Sequence, residues 1–90
     1  MTTVKAAVFA VFALVPTAAL AGPQCTTEPK DKWMSEAAMK AKIAEMGYKD
    51  IKTFKISGPC YEIYGRTADG KKAEVYFNPV TGEVTKANVN

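Results

Sequence analysis

Apolar and polar positions alternate most cleanly between Lys71 and Phe77. Ala73, Val75 and Phe77 fall on one side of an extended chain, and Lys72, Glu74 and Tyr76 on the other. A period of two marks a strand with one buried face. Asn78-Pro79-Val80-Thr81-Gly82 follows. Pro79 presets φ for the second position of a type I turn, Asn78 offers a side-chain acceptor to the turn backbone, and Gly82 accepts the left-handed conformation that closes such a loop. Val84 to Val89 returns as a partner strand, so this end of the chain reads as a hairpin.

The same period recurs upstream. From Ile51 to Ser57, Phe54 and Ile56 alternate with Thr53 and Lys55. Gly58-Pro59 is a turn. Cys60 to Thr67 is a second β-rich run, with Tyr61 and Ile63 on one face and Cys60, Glu62, Tyr64 and Arg66 on the other. The pattern leaves open which face is the core. Ala68-Asp69-Gly70 carries the Asp-Gly hairpin signature.

Before these strands the period lengthens. Met39, Ile43 and Met46 recur at helical spacing within a run of strong helix formers. Ser35 suits the N-cap, Glu36 the positive end of the helix dipole, and Glu36 with Lys40 a surface pair. Met34 is placed to staple onto Met39. Gly47 ends the helix in the left-handed conformation, and Tyr48 then folds back onto Ile43. The expected fold is α+β: one N-terminal helix packed on one face of a four-stranded antiparallel sheet.

Residues 1–21 have a different character. Lys5 precedes the apolar run Ala6 to Val15, Pro16 breaks it, and Ala19-Leu20-Ala21 is a small-x-small cleavage site. This is the layout of a secretory signal peptide cut after Ala21, and the run is short for a membrane span. Cys25 follows Pro23-Gln24, which does not suit lipidation. The mature chain is expected to be periplasmic or secreted, with no membrane insertion once the signal is removed. Gly22 to Lys32, polar and Pro-bearing, reads as an extended N-terminal arm, and residues 33–90 as the folded domain.

The two cysteines of an exported chain suggest one bridge, Cys25–Cys60. Closing a loop of about 36 residues stabilises by about 4 kcal/mol in the chain-entropy account, before strain. The alternative, a redox-active pair, lacks the Cys-x-x-Cys spacing and any His beside it. Two cysteines without His do not make a zinc site, so no metal is expected. No nucleophile has a visible partner, no Gly-rich phosphate loop is present, and no cofactor motif is found. Glu62, Asp69, Glu74 and Glu83 are scattered over strands and turns. No catalytic residue is assigned, and the chain is expected not to be an enzyme. The net charge of +3 includes Lys5, and the remaining lysines alternate with acids, so nucleic acid is not an expected partner.

The order strand, Asn-Pro-Val-Thr-Gly-Glu-Val, strand resembles the C-terminal signature of the PepSY family, found in peptidase propeptides and small secreted bacterial proteins. That loop usually reads Asp-Pro-x-Thr-Gly-Glu, and Asn78 here replaces the Asp. Trp33 before the helix, Gly47-Tyr48 after it, and the Tyr-Glu-Ile strand leading to Asp69-Gly70 are similar to the family pattern too. The resemblance covers Trp33 to Thr85. It implies a non-catalytic domain that binds a protein, restraining or regulating an envelope protease. The alternative is an accessory or sensory subunit of an envelope membrane redox complex. Asn78, Pro79, Thr81 and Gly82 form the turn motif. Trp33, Tyr61, Tyr64 and Tyr76 are the candidate binding face, tyrosine and tryptophan being favoured interface residues.

Overall fold

The computed structural model describes residues 22–90, so the expected signal peptide lies outside the described residues. The arm is extended and carries one short 3-10 turn, Lys30–Lys32. The helix α1 spans Glu36–Glu45. Four strands follow: β1 Lys49–Ser57, β2 Cys60–Arg66, β3 Lys72–Phe77 and β4 Val84–Val89. They form one antiparallel meander in the order β1-β2-β3-β4. The fold is therefore one helix on a four-stranded antiparallel sheet.

The helix begins where Ser35 caps it: the Ser35 hydroxyl accepts from the Ala38 amide at 3.1 Å. That bond satisfies one amide left without a helical partner. It ends at Gly47, whose φ of 94° breaks the right-handed path. The buried helix residues are Met39 and Ile43. They meet Tyr61 and Ile63 of β2 and Ala73, Val75 and Phe77 of β3 in one core, flanked by Trp33, Met34, Tyr48 and Phe54. The side of β2 bearing Tyr61 and Ile63 is thus the inner one, because Tyr61 stands opposite Phe77 and Ile63 opposite Val75.

Two expectations for the helix are corrected. Met46 is 41 % exposed. It occupies the C-cap, and beyond it the chain turns at Gly47 and sends Tyr48 inward, its ring edge-on to Phe77 at 6.0 Å. Tyr48 supplies the apolar group at this end instead. Glu36 and Lys40 do not pair: among the described residues the one ion pair within 4.0 Å joins Lys55 to Glu62. Lys40 places its ammonium 5.1 Å from the centre of the Phe54 ring, a cation–π contact.

The sheet is regular except near its margins. β1 takes up extra residues between Lys49 and Thr53, with Asp50 at φ 51°. Gly65 of β2 lets this segment close in: a Cβ there would stand 2.7 Å from Ile51 Cδ1 and 3.0 Å from the Lys49 carbonyl oxygen. β4 has a bulge at Thr85, where Tyr76 faces Lys86 and Phe77 faces Val84.

Candidate interaction surface

Three features stand out: the clamp that holds the arm, the aromatic residues, and the sheet face that the helix leaves uncovered. The clamp is built from the turn motif. Asn78 Oδ1 accepts from the Val80 amide at 2.8 Å and the Thr81 amide at 3.2 Å. The Gly82 amide donates to the Asn78 carbonyl at 2.7 Å, and the Asn78 amide to the Glu83 carbonyl at 2.8 Å. With its polar groups satisfied locally, the loop buries Pro79 and turns the Pro79 carbonyl toward Met34, whose amide donates to it at 2.8 Å. Gly82 lies under the Lys42 stem, and its φ of 81° is the left-handed conformation that favours glycine. The motif is thus a structural latch on the entry to the helix.

A second anchor holds the arm further out. Cys25 and Cys60 form a disulfide with Cα atoms 5.2 Å apart. Both are buried, Cys60 completely. Pairing of this kind belongs to an oxidising compartment outside the cytoplasm.

The four aromatic residues of the candidate face lie on two different sides of the sheet. Trp33 packs edge-on to Tyr61 at 5.4 Å on the helix side, and its indole Nε1–H donates to the Glu28 carbonyl at 3.2 Å. Tyr61 is 4 % exposed and donates its hydroxyl to the Met34 carbonyl at 2.8 Å. Burial, with Glu36 beside it, pushes its phenol pKa up. These two residues close one end of the core. Tyr64 and Tyr76 lie on the opposite, uncovered face, Tyr64 with 44 % of its surface exposed.

On that face the alternation of β2 and β3 brings together Glu62, Tyr64, Glu74 and Tyr76. Cross-strand register puts Glu62 opposite Tyr76, and Tyr64 opposite Glu74. Both tyrosine hydroxyls donate to Glu74 Oε2 at 2.8 Å, and Asn88 Nδ2 on β4 donates to Oε1 at 3.1 Å. A hydrogen bond from the Glu62 carboxyl, joined by those of Tyr64 and Tyr76, holds the Glu74 pKa down to about 2. Glu62 is only 3 % exposed. Burial pushes its pKa up, as does its bond to Glu74, against the pull of the Lys55 ammonium at 3.8 Å. Glu74 therefore ionises first and Glu62 second. The bond to Glu74 pushes the Tyr64 phenol up to about 12 and that of Tyr76 higher still.

A carboxyl pair that shares a proton is a motif of acid–base chemistry. Here Glu74 already accepts from Tyr64, Tyr76 and Asn88 besides Glu62, and Glu62 does not line the neighbouring open trough. The cluster reads as a cross-strand brace. Sequence alternation places all four residues on one face, but the diagonal meeting of the two acids needs the register set by the turn at Asp69-Gly70. Among the described residues, no group of three or more His, Cys, Asp or Glu could hold a metal ion. No helix among them is long and apolar enough to cross a membrane.

Below the brace the uncovered face forms a trough of about 400 Å³. Lys52, Arg66 and Lys72 line it together with Asp50, Glu74 and Asn88, so both signs of charge are present.

Comparison with protein families finds a match over residues 5–88 to the family described as "Peptidase propeptide and YPEB domain". No curated protein and no solved structure matches the chain.

Proposed function

The chain belongs to the peptidase propeptide and YPEB domain family, and on that premise we propose that it is an exported, non-catalytic domain that binds and restrains an envelope peptidase. The observation that carries the reading is the extent of the match, which takes in nearly the whole chain. The disulfide supports a site of action outside the cytoplasm, consistent with residues 1–21 serving as a signal peptide. The latched arm and the bridge favour a partner that meets a stiff surface, since little ordering entropy then opposes binding.

The test is inhibition of the peptidases of the host cell's own envelope by the disulfide-bonded protein. The expected result is saturable, dose-dependent inhibition of one of them, with cleavage of the domain itself much slower than that of an unfolded substrate. Absence of inhibition and of capture across those peptidases refutes the proposal. Capture of a membrane redox or sensory protein in their place would shift the reading to an accessory subunit.

A further inference from the structure

The helix covers only part of the inner sheet face. Met39 and Ile43 seat α1 over β2 and β3. The inner side of β1 reaches beyond it. Phe54 stands opposite Ile63 and Ile56 opposite Tyr61, so both share the core-facing side. Ile51 joins them, lying against Gly65 two residues on from Ile63. Yet Ile51 and Ile56 are exposed and Phe54 is half-buried. Between α1 and β1 this leaves an open groove of about 520 Å³. Ile43, Tyr48, Ile51 and Phe54 form its apolar lining, with Lys40 on the helix and Lys52 on the strand. Exposed apolar residues scattered singly are ordinary, whereas a row of them in a concave setting is a feature of binding surfaces.

The charge lining the groove has one sign. Lys40 and Lys52 line it and no acidic side chain does. The trough on the other face differs, because Asp50 and Glu74 stand among its cations. Neither groove lysine has an ion-pair partner within 4.0 Å among the described residues. Lys40 instead holds its ammonium 5.1 Å from the centre of the Phe54 ring, which is itself part of the lining. An occupant that is apolar at its centre and anionic beside it complements both the lining and the lysines.

We propose that the groove between α1 and β1 docks an apolar side chain of the restrained peptidase, carried on a segment whose neighbouring residues are acidic. The site rests on the proposed function and names the chemistry of the partner surface. The apolar side chain covers Ile51 and Phe54, and removing that surface from water carries most of the affinity. The acidic neighbours meet Lys40 and Lys52. These pairs stay near solvent, so each contributes little, but they select the sign of the partner and steer encounter at low salt.

The test is nuclear magnetic resonance titration of the disulfide-bonded protein with a short end-blocked peptide that sets one leucine between pairs of glutamates. Peptides with alanine in place of the leucine, or lysines in place of the glutamates, are run beside it, as is decanoate. The leucine–glutamate peptide is expected to bind saturably, to shift the resonances of Ile43, Ile51 and Phe54, and to lose affinity as salt rises. Lys40→Gln with Lys52→Gln is expected to weaken it about fivefold. Ala44→Leu fills the groove from an exposed helix position without breaking the helix, and is expected to abolish saturable binding. Lys86→Gln, on β4, is expected to leave binding unaltered. Equal binding of the alanine or the lysine peptide overturns the proposal, as do shifts confined to other residues. So does tighter binding of decanoate than of the peptide, which would assign the groove to a free acyl anion. A peptidase inhibited equally by wild type and by Ala44→Leu refutes this site and leaves the proposed function standing. Peptide binding in the groove without inhibition of any peptidase refutes the function and keeps the groove's chemistry.

Discussion

At the scale of single residues, the Glu62–Glu74 pair sets how stability responds to pH. Glu74, with its pKa held down to about 2, favours the folded state above the ordinary carboxylate range, and that contribution fades as pH falls toward 2. Glu62 has the opposite sign. Its pKa is raised, so its contribution favours folding below the ordinary range and fades as pH rises through the raised value. The groups facing it are Lys55 on β1, Tyr64 on β2, and Glu74 and Tyr76 on β3, with Lys86 across from Tyr76. Glu62→Gln keeps a donor toward Glu74 and removes the group that resists ionisation. Thermal unfolding should show a variant close to wild type in mild acid and more stable than it at about pH 8. Glu74→Gln removes the negative acceptor from Tyr64, so spectrophotometric titration should find that phenol falling from about 12 toward 10.0.

At the scale of elements, the helix was readable from the sequence nearly to the residue, because cap, formers and stop all agree at Ser35, Ala37 to Ala44 and Gly47. β3, β4 and the loop between them were equally plain. The inner face of β2 was not, since Cys60 and Tyr64 on one side look as apolar as Tyr61 and Ile63 on the other. The alternation of β3 resolves it, but only once the pairing of Tyr61 with Phe77 is known. Met46 was misplaced for a similar reason: helical spacing describes an infinite helix, and this one stops at Gly47. The two methionines therefore should respond differently to truncation. Met39→Ala, at a fully buried site, should cost about 2–5 kcal/mol in denaturant unfolding, whereas Met46→Ala should stay within about 0.5 kcal/mol of wild type. Ser35→Ala should cost about 1 kcal/mol by losing the cap bond to Ala38.

At the scale of the whole molecule, the meander supplies the frame and the arm supplies the closure. Export and the bridge were both expected from two cysteines and an N-terminal apolar run, and the bridge is present. The site was less legible. The aromatic residues drew attention by type, yet Trp33 and Tyr61 serve the core. The groove arises where Ile43 on α1 and Ile51 and Phe54 on β1 meet, and alternation alone does not tell that the helix leaves this side of β1 open. Replacing both Cys25 and Cys60 with Ala should cost about 2–5 kcal/mol in unfolding experiments, because a domain this small has little other reserve. The loss should be accompanied by faster amide exchange in the arm, while the strands of the meander keep their relative order of protection.

The complete burial of Cys60 also bears on the order in which the chain is made and finished. Every strand pairs with its neighbour in sequence, so the sheet can assemble from hairpins without waiting for distant segments. The bridge joins residues 35 positions apart and must be written by an outside oxidant that touches the sulfur. An arm that settles early hides that sulfur from the oxidant. Maturation is thus a race between closure and oxidation. Thiol trapping during refolding of the reduced chain should show the bridge forming faster when mild denaturant keeps the arm loose.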